Sequence, residues 1–167
     1  DLIITNHEND NIKGNNFVLS GFKYALSNST QKRNFKKKLI NKKKLNVLIH
    51  GGGTDQYINI KQFLKSTFNF YNRGIINLDI LVVNNKSKKK IEKIVGNLQS
   101  RPNYINYKKS IQNILKNYDI VCGPLGTTTF EAIIGNAFPF TVEPFNSKIF
   151  SNYSWLKNGH LFYLNNK

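Results

Sequence analysis

The chain has 167 residues, with 25 Lys and Arg against 9 Asp and Glu, a formal net charge of +16, one Cys and no Met. This length suits one ordinary domain, which buries roughly 70% of the surface of its unfolded chain. Because Cys122 has no second cysteine to pair with, an intrachain disulfide framework is excluded, and we expect a reducing location, the cytoplasm. No apolar run approaches the roughly 20 residues of a membrane helix, so we expect no membrane span.

The first 40 residues differ in character from the rest of the chain. The sequence opens on Asp-Leu-Ile-Ile-Thr, with no Met and no signal-peptide pattern, so we expect a fragment of a longer, two-domain protein. Short extended pieces are predicted at 3–4 and 17–19, and residues 28–40 are polar and basic, as expected for a short helix and a linker. We therefore assign 1–40 to an inter-domain segment and 41–167 to the main domain.

From residue 45 onwards, apolar runs alternate with helical patterns. The predicted strands are 45–50, 78–83, 104–107, 119–122, 138–142 and 160–164. The predicted helices are 57–71, a helix capped by Ser87 that runs to 99, a helix over 111–117 capped by Ser110, 128–134 and 146–157. Apolar strands without alternation are typical of a parallel sheet that is covered on both faces. We predict an α/β fold with a Rossmann-like parallel sheet and helices on both faces. Such sheets bind ligands at the carboxyl ends of their strands.

One unusual loop follows the predicted strand 45–50 and reads His-Gly-Gly-Gly-Thr-Asp over 50–55. Consecutive glycines let the backbone turn tightly and let a ligand approach main-chain N–H groups. Thr54 or Asp55 can cap the next helix. No Gly-x-Gly-x-x-Gly frame fits, so the loop is not a dinucleotide fingerprint. A tight turn that binds nothing is the alternative.

A second unusual loop reads Gly-Pro-Leu-Gly-Thr-Thr-Thr-Phe-Glu over 123–131. Gly126 allows close approach of a ligand, and the hydroxyls of 127–129 lie beside the free N–H groups of a helix N-terminus, which favours anions. Glu131 can accept hydrogen bonds from the vicinal hydroxyls of a ribose or sugar. Its alternative role is to stabilise the helix dipole. No Lys follows the glycine, so this is not a Walker A loop.

Taken in order, these motifs resemble the nucleotide-binding half of the PseG/SpsG-like UDP-sugar hydrolases, which are related to the MurG-type GT-B glycosyltransferases. The residues that carry the resemblance are Gly-Phe-Lys-Tyr-Ala-Leu at 21–26, Gly-Gly-Thr-Asp at 52–55, Gly-Thr-Thr-Thr-Phe-Glu at 126–131, and Ile134-Gly135 with Pro139. The resemblance as a whole covers about residues 1–164.

The resemblance implies the C-terminal half of a two-domain GT-B enzyme. Such an enzyme releases UDP from a diacetamido-trideoxy sugar in pseudaminic (nonulosonic) acid or surface polysaccharide biosynthesis. The implied substrate-binding residues are Gly52, Gly53, Thr54 and Asp55 on the phosphate side, Gly126, Thr127, Thr128 and Thr129 at the diphosphate, Glu131 at the ribose, and Ile105 and Asn106 at the uracil edge. The UDP-sugar is the implied partner, with no cofactor and no metal. The acid or base would come from the missing N-terminal domain in cis, so we expect no catalytic residue in this chain.

Other interpretations stay open. The chain could be a MurG-like glycosyltransferase domain, a basic nucleic-acid-binding domain, or an interaction module that has lost its ligand. Only Arg33, Arg73 and Arg101 among the 25 basic residues offer bidentate contacts, and the 26 Asn and 19 Ile are typical of an AT-rich genome. We therefore do not expect nucleic acid as a partner. His50 is a candidate for ligand contact, whereas His7 and His160 are expected to be structural.

Overall fold

The computed structural model describes residues 2–5, 17–20, 42–52, 57–96, 101–107, 111–124, 126–142 and 162–164. Its strands are β1 (Leu2–Thr5), β2 (Phe17–Ser20), β3 (Leu45–His50), β4 (Ile76–Val82), β5 (Asn103–Asn106), β6 (Ile120–Pro124), β7 (Phe138–Val142) and β8 (Phe162–Leu164). Its helices are α1 (Tyr57–Asn72), α2 (Asn85–Val95), α3 (Gln112–Leu115) and α4 (Thr127–Ile134).

Six of these strands form one sheet in the order β5-β4-β3-β6-β7-β8, and every neighbouring pair is parallel. The chain steps outward from β3 through β4 to β5, then returns to the other side of β3 and steps outward again through β7 and β8. This reversal is the topological switch point of an open α/β sheet, and it lies between β3 and β6. A separate parallel pair joins β1 to β2. The predicted Rossmann-like α/β class is confirmed.

Each face of the sheet packs against its own helices. Because side chains alternate along a strand, Val47, Ile49 and Ile80 point to one face, where they pack with residues of α1 and α2 such as Phe63 and Ile91. The other face carries a smaller core, in which residues from β3, β4 and β6 pack against α3, α4 and the turns beside them; its members are Leu48, Leu81, Ile111, Leu115, Tyr118, Val121, Ala132 and Ala137. Helices therefore lie on both faces, as predicted.

Several predicted element boundaries need correction. Helix α2 begins at Asn85 rather than after Ser87, because the Asn84 side chain accepts a hydrogen bond from the Ser87 N–H at 2.9 Å and acts as the cap. Helix α3 is shorter than predicted, and its cap residue, Ile111, makes no side-chain cap bond. Strand β4 begins at Ile76, in register with Leu45, two residues before the predicted start.

Some predictions fall outside the described residues. These are the linker helix over 28–40, the helix over 146–157, His7 and His160. The boundary assigned at residue 40 stays a prediction. Within the described ranges, no helix combines the length and the apolar character needed to cross a bilayer.

A candidate ligand site at the switch point

The two glycine-containing loops come together at the carboxyl ends of β3 and β6. Ile49 pairs with Cys122 in the sheet, so the residues that follow them leave the sheet side by side. Gly52 turns the first loop with φ +82°, a conformation that favours glycine. A Cβ atom at Gly52 would lie 2.9 Å from Pro124 Cγ in the second loop. The sequence predicted two separate loops, and the fold brings them side by side at the switch point, where open α/β sheets have their ligand crevice.

His50 packs under this crevice as a neutral side chain. Its Nδ1 accepts a hydrogen bond from the Gly52 N–H at 3.2 Å, so the ring proton is assigned to Nε2. The residue is only 4% exposed, and this burial lowers the pKa of His50 from 6.5 to about 4. The ring occupies the space that a side chain at Gly123 would fill. The His50 ring therefore requires a glycine at position 123, and the contact between these two residues links the two loops.

The second loop leads directly into helix α4. Gly126 is the N-cap residue, with an extended backbone and no heavy atom within 4 Å of the position of a Cβ. The hydroxyl of Thr129, which is 4% exposed, accepts from the Gly126 N–H and donates to the Pro124 carbonyl, both at 3.3 Å. The buried Thr129 side chain therefore links the loop backbone at Pro124 to that at Gly126. Thr127 is exposed and Thr128 half-buried. The Thr129 N–H donates to the Gly126 carbonyl at 2.9 Å, so the N–H groups of Thr127 and Thr128 are the ones in this turn that the helix itself does not satisfy.

The next strand of the sheet, β7, contributes a buried hydroxyl beside Gly123. Gly123 pairs with Thr141 of β7, so His50, Gly123 and Thr141 follow one another across the same face of β3, β6 and β7. Thr141 is 0% exposed, and its hydroxyl oxygen has no hydrogen-bond partner. A buried polar atom left without a partner costs free energy and is rare in folded proteins. This row is the most polar part of the core next to the crevice.

The predicted uracil-edge residues lie at the same edge of the sheet but further from the switch point. Ile105 and Asn106 end β5, two strands away from β3, which is about 10 Å at the usual strand spacing. The Tyr107 N–H donates to the Val82 carbonyl at 2.8 Å. Since bonding directions alternate along a parallel strand, the backbone groups of Asn106 point away from β4. They therefore face the open side of β5, and a ligand in the crevice between β3 and β6 would have to extend across β4 to reach them.

The remaining predicted residues are placed as follows. Glu131 is half-buried one turn into α4. Gly53, Thr54 and Asp55 lie outside the described residues, so their contribution to the crevice stays a prediction.

Sequence reasoning missed the roles of Gly123 and Thr141. A glycine inside a strand marks the close approach of another group, and the Gly123-Pro124 pair at the end of an apolar run carried that signal. Nothing in the sequence indicated that the approaching group is His50, because their contact depends on strand order. Thr141, between apolar neighbours, carried no signal at all.

The crevice holds no reactive nucleophile in its described part. Cys122 is 2% exposed, and burial raises the pKa of its thiol to about 12, so the thiol stays protonated. Its environment is that of a core residue. Among the residues that the structure describes, no three His, Cys, Asp or Glu side chains are grouped to hold a metal ion.

The fold is that of a Rossmann-like α/β domain, and the two loops lie at its switch point, the place where such sheets bind ligands. Comparison with protein-family models, with curated proteins and with solved structures found no match for this chain.

Proposed function

We propose that this domain binds a nucleotide-sugar of the UDP-sugar class in the crevice between β3 and β6. The observation that supports this most directly is the meeting of the two loops, in which Gly52 lies against Pro124 and His50 against Gly123. Two glycine-rich loops at a switch point provide backbone N–H groups at close range, and that is what a diphosphate needs.

In this proposal the predicted residues of the second loop and of helix α4 each have a distinct role, as does Asn106 of β5. The first-turn N–H groups and the hydroxyls of Thr127 and Thr128 stabilise the diphosphate as an electrostatic cradle. Gly126 lets the ligand approach, and Thr129 holds the loop in shape. Glu131 accepts from the ribose hydroxyls, and Asn106 offers its backbone to the base.

The neutral state of His50 fits an anion-binding crevice in a specific way. A neutral imidazole keeps the loop geometry constant across physiological pH, because its pKa of about 4 lies far below neutrality. The charge of the ligand is therefore met by backbone dipoles and the helix N-terminus, without a titrating side chain beneath it.

Within the proposal, the intact protein is a PseG-like hydrolase that releases UDP from a sugar, and an acid or base from another domain activates the water. On that basis this chain alone binds the ligand without turnover. A MurG-like glycosyl transfer would use the same half-site with an acceptor in place of water.

A thermal-shift titration with UDP, UDP-N-acetylglucosamine, ATP and a single-stranded oligonucleotide tests the proposal. Ligand at 100 times its Kd adds about 2.7 kcal/mol, which raises the Tm by roughly 5–10 °C for a domain of this size. We expect the shift with the UDP compounds and not with ATP or the oligonucleotide. Glu131→Ala should reduce it, whereas Glu92→Ala, an exposed carboxylate on α2, should not. A shift with the oligonucleotide alone would support the nucleic-acid interpretation instead.

A further inference from the structure

A second pocket lies at the opposite end of the sheet, at the amino ends of β3, β4 and β5. It has a volume of about 540 Å³, which is within the range of small-molecule sites. We call it the amide pocket and define it by the side chains that line it: Asn46, Tyr71, Asn77, Asp79, Arg101 and Asn103. None of these residues belongs to the crevice between β3 and β6.

The asparagines and the aspartate of the amide pocket lie on one face of three adjacent strands, whereas Tyr71 reaches the pocket from helix α1, which packs on the other face. Asn46 pairs with Asn77, and Asp79 pairs with Asn103, so all four side chains point the same way. Asn and Asp are depleted in strands, because they neither pack well nor favour the extended backbone. Four of them side by side make a polar surface in a sheet that is otherwise apolar.

Hydrogen bonds hold these side chains in fixed orientations. Asn77 Nδ2 donates to Asn46 Oδ1 at 2.8 Å, and Asn103 Nδ2 donates to Asp79 Oδ1 at 3.1 Å. The other oxygen of Asp79 accepts from the Tyr118 hydroxyl at 2.6 Å. An amide has two N–H donors and two acceptor lone pairs, so these contacts orient each amide and leave it with further capacity. The pocket therefore presents preorganised donors and acceptors side by side.

Neighbouring donors and acceptors of this kind match the neighbouring hydroxyls of a sugar, each of which donates and accepts. The Tyr71 hydroxyl donates to the Arg101 carbonyl at 3.1 Å, which fixes an aromatic ring on the wall. Such a ring offers an apolar face beside a polar tip. The lining thus suits a ligand that is polar at its rim and apolar on its ring face.

Arg101 and the lysines near the rim outnumber the one carboxylate of the pocket, Asp79, and so favour an acidic ligand. Arg101 is exposed, and its guanidinium presents planar paired donors that suit a carboxylate or a phosphate. Lys43 and Lys44, also exposed, precede β3 at the same edge. The Asp79 carboxylate is already engaged by Tyr118 and Asn103.

We propose that the amide pocket binds a saccharide unit that carries one acidic group, with its hydroxyls on the asparagines and its acid on Arg101. This site is separate from the proposed nucleotide-sugar crevice and does not depend on it. The acid can be a carboxylate or a phosphate, because both present paired oxygens to a guanidinium.

Isothermal titration with glucuronic acid, glucose 6-phosphate and glucose tests the proposal on the 167-residue chain. We expect both acidic sugars to bind at least about tenfold more tightly than glucose, because their acid can form paired, charge-assisted hydrogen bonds with the guanidinium of Arg101. The stronger of the two identifies the acid. Arg101→Ala should remove the preference, and Asn77→Ala should weaken all binding.

Arg73→Ala is the matched control, because Arg73 is an exposed arginine in the turn before β4 that does not line the pocket. It should leave the three affinities within about twofold of the original protein. The proposal is overturned if none of the three sugars binds, if glucose binds as tightly as the acidic sugars, or if Arg73→Ala lowers affinity as much as Arg101→Ala does. Melting temperatures of the variants within a few degrees of the original establish that each variant is folded.

Discussion

At the end of the sheet where its strands have their carboxyl termini, which we call the carboxyl edge, β3 and β6 are joined through glycines and a neutral histidine. At the opposite end, the amino edge, the same two strands are joined by a charged pair. Lys42 Nζ lies 2.8 Å from Asp119 Oδ1, and Asp119 Oδ2 accepts from the Asn46 N–H at 2.9 Å. Side chains hold the amino edge, and backbone shapes the carboxyl edge. The comparison indicates that a buried charged pair links the strands at one end, whereas loops, which are where binding residues are usually found, connect them at the other.

The largest expected effect is at the amino edge, where Asp119→Ala removes a fully buried carboxylate. The substitution leaves the Asn46 N–H and the Lys42 ammonium without their acceptor. Each hydrogen bond to a charged group contributes about 1.5–3 kcal/mol, so we expect a loss of about 3 kcal/mol, which urea denaturation should show in the free energy of unfolding.

Lys42 provides a graded test of the same edge, because it is partly exposed and solvent screens its charge. Lys42→Ala should cost about 1 kcal/mol, and Lys43→Ala, at an exposed neighbour, close to nothing. If Asp119→Ala cost no more than Lys43→Ala, the amino edge would not be the stabilising end.

The next largest effect is expected from Gly123→Ala at the carboxyl edge. The new methyl group would coincide with the His50 ring, and overpacking of this kind costs about 1–3 kcal/mol. In a double variant with His50→Ala, the ring is gone and the cost of the methyl should fall by more than half. Additive losses in chemical denaturation would show that the two residues do not contact each other.

Acidic pH should lower the free energy of unfolding, because His50 is buried in its neutral form. The pKa of His50 is about 4 in the folded state, against its ordinary value of 6.5. Between those pH values the unfolded chain therefore binds a proton that the folded chain does not. The free energy of unfolding should therefore fall as the pH drops from 6.5 to 4, by about 3 kcal/mol at most from this group. His50→Gln should flatten that part of the pH profile. An unchanged profile in the variant would show that His50 titrates normally.

The smallest effect on stability, and a large one on binding, is expected for Gly126→Ala. Its backbone is extended, and no heavy atom lies within 4 Å of a new Cβ, so the free energy of unfolding should change by less than about 0.5 kcal/mol. The methyl would nevertheless stand where the ligand is proposed to approach, and the Kd for UDP should rise at least about tenfold. Equal UDP affinity in titration calorimetry would place the diphosphate elsewhere.

The fold could be predicted from the sequence because its signals are local. Apolar runs such as 45–50 and 138–142 gave strand bounds that match β3 and β7, since continuous apolar character is what a strand buried on both faces requires. Helix starts were less predictable. Ser87 looked like a cap, but Asn84 takes that position, and both residue types cap helices equally well.

The candidate site could be predicted only in part, because its parts are brought together by strand order. The glycines at 52 and 126 could be identified from the sequence alone, because glycine in a loop after a strand indicates a tight turn or the close approach of a ligand. The contact of His50 with Gly123 and the row that ends at Thr141 depend on β3, β6 and β7 being neighbours. The amide pocket depends likewise on the register between β3, β4 and β5, because Asn46, Asn77 and Asn103 lie far apart in the chain.

Amide chemical shifts during a UDP titration test the central claim most directly, because they report both edges of the sheet in one experiment. We expect the largest changes at the backbone amides of Gly51, Gly52, Gly126 and Thr127, and none at the side-chain amides of Asn46, Asn77 and Asn103. Changes confined to those asparagines, or no change at any UDP concentration, would contradict a nucleotide site at the carboxyl edge.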